Sequence, residues 1–341
     1  MYAITTVVLM TLVTSIQGTA QAVQFSEREV VFRNGVVELH GTLMLPTVRT
    51  PSPAIVFLHG SGPHPRAGFR PYAEEFARLG VASLFFDKRG SGESGGSWIT
   101  ASLDDLAGDA LAAVKYLKGE PGIDADRLGF WGISQAGWVA PLAASRSEDV
   151  AFMILISGGG ASPRESELFS WKREFESAGL SAEETTRATG VLEAYYAYLA
   201  TGERRAELVA RLDELRPGRL SPLAEALDRI LPSEDNRANW SWVATYDPAP
   251  HIESFTGPIL LMFGAEDTDH PTTLATERWR EGLGTAGNDR VTLMAFPGAG
   301  HGIRMREGYS GSGRAPFADG YGEVQLGWLW RFVIAGAEGQ D

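Results

Sequence analysis

The sequence predicts an α/β chain: a doubly wound, mostly parallel sheet with a block of helices inserted past its middle. Three observations carry this. Six short apolar runs, Ala54 to Leu58, Ala82 to Phe86, Leu128 to Trp131, Phe152 to Ile156, Ile259 to Phe263 and Val291 to Phe296, alternate with helix-compatible segments. That is the pattern of parallel strands joined by right-handed crossovers. Ahead of them, Glu29 to Leu45 holds two strand-like runs around Asn34-Gly35, a two-residue hairpin signal, so an antiparallel hairpin opens the sheet. Between Ser157 and Phe255 the alternation stops and only helical periodicity remains.

In chain order, the hairpin strands are Val30-Val31-Phe32 and Val36-Val37-Glu38-Leu39. The six runs that follow lack polar alternation, as strands buried on both faces do. In the middle block Ser181 and Glu184 have capping-box spacing, and Leu208, Leu212 and Leu215 share one helical face. Ser221-Pro222 opens a further helix with Leu223, Leu227, Ile230 and Leu231 on one side. These boundaries divide the chain into a core at 23–157, a helical cap at 158–255 and a second core part at 256–341. The cap is expected over the active site, where it shapes the pocket. Trp240, Trp242 and Tyr246 either line that pocket or pin the cap to the core.

Chemistry concentrates where the runs end. Arg127-Leu128-Gly129-Phe130-Trp131 leads into Gly132-Ile133-Ser134-Gln135-Ala136-Gly137, a strand turning sharply onto a helix with serine at the apex. Such a turn presents Ser134 Oγ for attack, and the N–H of the next residue, Gln135, faces a developing oxyanion. The pattern departs from G-x-S-x-G in having Ala136 in the last position and glycine one residue later. The run ending at Phe263-Gly264 reaches Glu266, Asp267 and Asp269, three acids in one turn. The run ending at Phe296 reaches Gly298-Ala299-Gly300-His301-Gly302, a glycine loop able to aim an imidazole. Serine, acid and histidine in that order support nucleophilic acyl transfer: His301 takes the serine proton and a carboxylate orients the ring. Leu58-His59-Gly60-Ser61-Gly62 ends an earlier strand in a turn whose N–H groups complete an oxyanion hole.

These residues resemble the α/β-hydrolase superfamily over about Val30 to Val333, and within it bacterial serine hydrolases related to prolyl oligopeptidases and dienelactone hydrolases. The resemblance rests on Leu58-His59-Gly60-Ser61-Gly62-Pro63, Phe86-Asp87-Lys88-Arg89-Gly90-Ser91-Gly92-Glu93-Ser94, Trp131-Gly132-Ile133-Ser134-Gln135, and Gly264-Ala265-Glu266-Asp267 with Pro271. It implies an α/β-hydrolase fold, Ser134 as nucleophile, Asp267 as acid, His301 as base, and the N–H groups of Ser61 and Gln135 as oxyanion donors. The expected activity is hydrolysis of a small-molecule carboxylic ester, of short acyl chain, without a cofactor. A prolyl oligopeptidase-like peptidase is the alternative enzyme, and a non-catalytic binding module of the same fold is the alternative outside enzymes.

Composition narrows the field. With 44% hydrophobic and 21% charged residues, the 341-residue chain has the make-up of a folded globular protein. A net charge of −13 disfavours nucleic acid and anionic membranes as partners. Without cysteine there is neither disulfide nor thiolate chemistry, and no two of the 6 histidines have metal-site spacing. Gly90-Ser91-Gly92-Glu93-Ser94-Gly95 formally matches a dinucleotide fingerprint, but Glu93 would face phosphate and no helix start follows. Arg89 beside it is expected to brace loops under the site. His64 is expected at the mouth of the site, and His40, His251 and His270 in surface or loop positions. No feature of the sequence speaks to oligomeric state.

Residues 1–22 carry no charged side chain, hold an apolar stretch from Ala3 to Ile16, and end in Ala20-Gln21-Ala22. They read as a signal peptide of a secreted or periplasmic protein, with no stable membrane association after its removal, and an uncleaved anchor as the alternative. Protein isolated from an exporting bacterial host should begin at Val23 by N-terminal sequencing. Intact Met1 on soluble cytoplasmic protein contradicts cleavage.

Overall fold

The computed structural model describes residues 25–47, 50–305 and 314–335. The expected signal segment at 1–22 lies outside them. In chain order the core runs β1 (Phe25–Asn34), β2 (Val37–Pro46), β3 (Ser52–Leu58), α1 (Arg70–Leu79), β4 (Ala82–Phe86), α2 (Leu103–Lys118), β5 (Ile123–Ile133), α3 (Ala136–Ala144) and β6 (Phe152–Ile156). Helices α4 (Pro163–Ser177), α5 (Ala182–Thr201), α6 (Arg205–Leu215), α7 (Ser221–Ile230), α8 (Glu234–Trp240), α9 (Trp242–Thr245) and α10 (Ala249–Ile252) follow. The chain then returns to the sheet with β7 (Ile259–Gly264), α11 (Thr272–Thr285), β8 (Val291–Phe296) and α12 (Tyr321–Leu329).

The eight strands form one sheet in the order β1-β2-β4-β3-β5-β6-β7-β8. β2 is antiparallel to both β1 and β4, and every other pair is parallel. This is the α/β-hydrolase fold, and each apolar run of the sequence is one of its strands. Alternation of side chains across the pleat splits the core in two. Ala54, Val56 and Leu58 of β3 pack with α2, α3 and α11 on one face, while Ile55 and Phe57 pack with α1 and α12 on the other.

Two local details differ from the sequence reading. The hairpin pairs Asn34 with Val37, so the turn residues are Gly35 and Val36, one position later than Asn34-Gly35. Gly35 takes the left-handed φ of 58° that the first turn position needs, and this frees the Asn34 amide for α2: Nδ2 donates to the Asp105 carbonyl and to Asp109 Oδ1. Ile230 is 45% exposed rather than on the buried stripe of α7, because the helix ends there and Leu231 turns inward in its place.

The helices between β6 and β7 have their own apolar core, including Phe175, Tyr195, Leu208, Leu212, Leu215 and Leu227. The Ser181–Glu184 capping box is formed in both directions. Trp242 packs against this core and against the sheet's own. Trp240 Nε1 donates to the Ile99 carbonyl, and Tyr246 Oη reaches the Trp138 carbonyl at 3.3 Å, so these aromatics fasten the helices to the sheet domain.

Candidate active site

The strand order reverses between β3 and β5, and the loops leaving their carboxyl ends meet where an open α/β sheet forms its crevice. Ser134 sits between the last residue of β5 and the first of α3, with φ of 57°. That left-handed conformation costs a non-glycine residue about 1–2 kcal/mol, so the surroundings must impose it. They do so through close packing. A Cβ on Gly158 would lie 2.1 Å from the Ser134 carbonyl oxygen, and one on Gly137 would lie 2.2 Å from the Gly158 carbonyl carbon. The Ser134 N–H donates to the Ile156 carbonyl at 2.9 Å. The Ala136 methyl fits because its neighbour is glycine: a Cβ on Gly132 would come within 2.4 Å of it.

The acid turn and the histidine loop are equally tight. A Cβ on Gly264, the last residue of β7, would meet the Gly300 carbonyl at 2.2 Å. Asp267 is buried, whereas Glu266 and Asp269 are exposed. Asp267 Oδ1 accepts the backbone N–H groups of Asp269 and His270 at 2.8 and 3.0 Å, and Oδ2 lies 2.9 Å from His301 Nδ1. With the carboxylate ionised, Nδ1 carries the hydrogen and Nε2 is left as the proton acceptor. The Gly302 N–H donates to Ser157 Oγ at 3.1 Å, tying the histidine loop to the end of β6.

His301 and Ser134 line one open cavity of about 610 Å³, together with Gly60, Ser61 and His64 from the loop after β3. A Cβ on Gly60 would be 3.5 Å from Ser134 Cβ, so that loop lies against the serine. Among the described residues no acceptor takes the backbone N–H of Ser61 or of Gln135. Phe69, Tyr72, Trp131 and Phe317 form aromatic walls, and Arg304 and Arg314 also line it. No described wall residue belongs to 158–255, which corrects the expectation that the cap shapes this pocket. The inserted helices instead flank the acid side, where Ser166 of α4 meets His270.

His270 lies in a loop, as expected, but it is buried rather than at the surface, with Nε2 at 2.9 Å from the Gly159 carbonyl and Nδ1 at 3.1 Å from Ser166 Oγ. Burial pushes its imidazole down to about 4, so it stays neutral and serves as a brace. His59 is likewise held well below the usual histidine range by burial and by the nearby Lys88 ammonium.

The glycine-rich loop after β4 wraps a carboxylate of its own. Asp87 accepts the Glu93 N–H and pairs with Arg66, and a Cβ on Gly92 would fall 2.3 Å from the Asp87 carboxyl. The Glu93 carboxylate also pairs with Arg66. Arg89 turns the other way, donating from Nε and Nη2 to Asp109 of α2 at 2.7 and 2.6 Å. Between them Lys88 points under the site, with Nζ at 2.7 Å from both the Gly60 carbonyl and Gln135 Oε1. Sequence reasoning missed it. The available signal was three consecutive charged residues directly after a buried strand.

A family profile described as X-Pro dipeptidyl-peptidase (S15 family) matches residues 34–292. The chain is 27% identical to esterase EstD of Thermotoga maritima over 84% of this chain and 62% of that protein. It is 32% identical to thiohydrolase aneE of Aspergillus aculeatus over 39% of this chain and 41% of that one. The chain thus spans less than two-thirds of the length of these relatives. Among solved structures, a Pyrococcus furiosus esterase superposes with a TM-score of 0.60 at 18% identity, covering 91% of this chain and 92% of that one. Est1E of Butyrivibrio proteoclasticus, in complex with ferulic acid, gives 0.55 at 16% identity over 91% and 99%.

The burial of Asp267 and its bond to His301 separate it from its neighbours in the acid turn. Asp267→Asn should slow fluorophosphonate labelling of the protein by about 10³–10⁴-fold, since the ring loses its orienting and charge-stabilising partner. Asp269→Asn should stay within about tenfold of the parent. The opposite ranking transfers the acid role to Asp269.

Proposed function

Since the chain belongs to the X-Pro dipeptidyl-peptidase (S15) family, we propose that it is a serine hydrolase of small carboxylic esters, acting after export through an acyl-enzyme on Ser134. The observation that carries this is the bond from buried Asp267 to His301, whose ring lines the same cavity as a serine held at positive φ. In the first half-reaction Ser134 Oγ attacks the ester carbonyl while His301 Nε2 takes its proton. The carbonyl oxygen becomes an oxyanion in reach of the Ser61 and Gln135 N–H groups, each donor contributing about 3 kcal/mol to the transition state. Collapse expels the alcohol, which receives its proton from His301. In the second half-reaction His301 deprotonates a water, the water attacks the acyl carbonyl, and the acid departs as Ser134 recovers its proton.

The aromatic walls and a volume of about 610 Å³ suit a short or compact acyl group with an apolar leaving group. Ester cleavage also demands less protonation of the leaving group than amide cleavage does. The family profile favours one further reading, a peptidase acting on X-Pro amides. The two part on a single panel of short-chain and long-chain p-nitrophenyl esters, an acyl-CoA, and aminoacyl or prolyl p-nitroanilides. Short acyl esters should give the highest kcat/KM, and Ser134→Ala should abolish all turnover. Higher kcat/KM on an anilide than on every ester installs the peptidase, and turnover surviving in Ser134→Ala removes the acyl-enzyme.

A further inference from the structure

Lys88 is 4% exposed, and no step of the acyl transfer uses its nitrogen as acid, base or nucleophile. Its Nζ donates to the Gly60 carbonyl and to Gln135 Oε1, each at 2.7 Å. The first contact bears directly on the oxyanion hole. The Gly60 oxygen and the Ser61 N–H belong to one peptide plane and point in opposite directions across a trans bond. A donor that pins the oxygen from below the loop therefore turns the Ser61 N–H to the opposite side. The second contact holds the side chain of Gln135, itself only 6% exposed, whose backbone N–H opens α3. One ammonium thus joins the loop after β3 to the turn after β5, the two segments that carry both proposed donors.

We propose that Lys88 is the positioning residue of the oxyanion hole, fixing the Gly60–Ser61 peptide and Gln135, and that its positive charge strengthens the hold on the oxyanion. The proposal rests on the Ser134 reading above. A neutral donor would satisfy the same two acceptors without the cost of burying a cation. Burial lowers the Lys88 ammonium to about 7, with Asp109 across from it on α2 acting in the opposite direction. Asp109 is already engaged by Arg89 and Asn34. His59, which also faces Lys88, is held neutral by its burial. The site therefore keeps a cation that titrates at about 7.

The sign of the pH dependence follows. His301 must be neutral to accept the serine proton, so activity rises with pH through its titration. The Lys88 cation is present at low pH and lost as pH rises through about 7, so kcat falls there and the profile is a bell. Kinetics of the full chain on a short-chain p-nitrophenyl ester, from about pH 5 to about pH 10, test this with Lys88→Met and Lys88→Arg. Lys88→Met should lower kcat by about 10²-fold with KM within about threefold, and should lose the alkaline limb. Lys88→Arg should recover most of kcat and carry no alkaline limb, because guanidinium stays charged throughout.

A rise in KM without loss of kcat in Lys88→Met, or an alkaline limb unchanged in either variant, overturns the proposal. Should Lys88→Met fail to fold, the limb in the wild type and in Lys88→Arg decides alone. Fluorophosphonate labelling of the wild type keeps the two readings apart: labelling at Ser134 with an unaffected Lys88→Met profile sinks only the lysine, whereas no labelling sinks the serine reading beneath it.

Discussion

At Ser134 the backbone leaves β5 in a left-handed conformation, and the rest of the site is arranged around that single residue. Three glycines make room for it: Gly132 faces the Ala136 methyl, Gly137 faces the Gly158 peptide, and Gly158 faces the Ser134 carbonyl. Two backbone bonds then hold it, Ser134 N–H to the Ile156 carbonyl and Gly137 N–H to the Ser134 carbonyl. The strain is about 1–2 kcal/mol, small beside the packing that would be lost if the turn relaxed. Its return is geometric. The hydroxyl stands at the sheet's carboxyl edge, and the Gln135 N–H heads α3, where the helix dipole favours negative charge.

Below this turn the chain solves a charge problem. Asp87, Lys88 and Arg89 follow β4 directly, and all three are buried. Each is directed to a different neighbour: Asp87 to Arg66 and the loop at 90–95, Lys88 to the turns after β3 and β5, Arg89 to Asp109 on α2. Deleting one partner of such a pair typically costs about 3–5 kcal/mol, because the other charge is left buried and alone. The arrangement makes the floor of the site stiff, and stiffness is what an oxyanion hole needs, since its donors stabilise charge only if they do not reorganise during the reaction.

How much of this was legible in the sequence depends on whether the signal was local. The strands were, because a parallel strand reads as a short, mostly apolar run, and β4, β6 and β8 begin and end where Ala82–Phe86, Phe152–Ile156 and Val291–Phe296 do. The serine turn and the histidine loop were legible because Gly132, Gly137, Gly298, Gly300 and Gly302 lie beside them in the chain, whereas Gly158 and Gly264, which pack against them from afar, were not. Features set by partners far along the chain were not. Asn34 is drawn out of its turn by Asp105 and Asp109, His270 is buried by a helix that starts over a hundred residues earlier, and Lys88 acts on Gly60 and Gln135. The path of the inserted helices was missed likewise: Trp240 and Tyr246 bond to Ile99 and Trp138, Ser166 meets His270 on the acid side, and no described residue of the block borders the serine cavity.

A crystal structure of the protein inhibited by a small alkyl phosphonate tests the central claim most directly, because the adduct freezes the oxyanion in place. The account predicts a covalent bond from Ser134 Oγ to phosphorus, with the phosphonyl oxygen at about 2.7–3.1 Å from both the Ser61 and the Gln135 nitrogen. An adduct on another residue, or an oxygen turned away from both nitrogens, contradicts it.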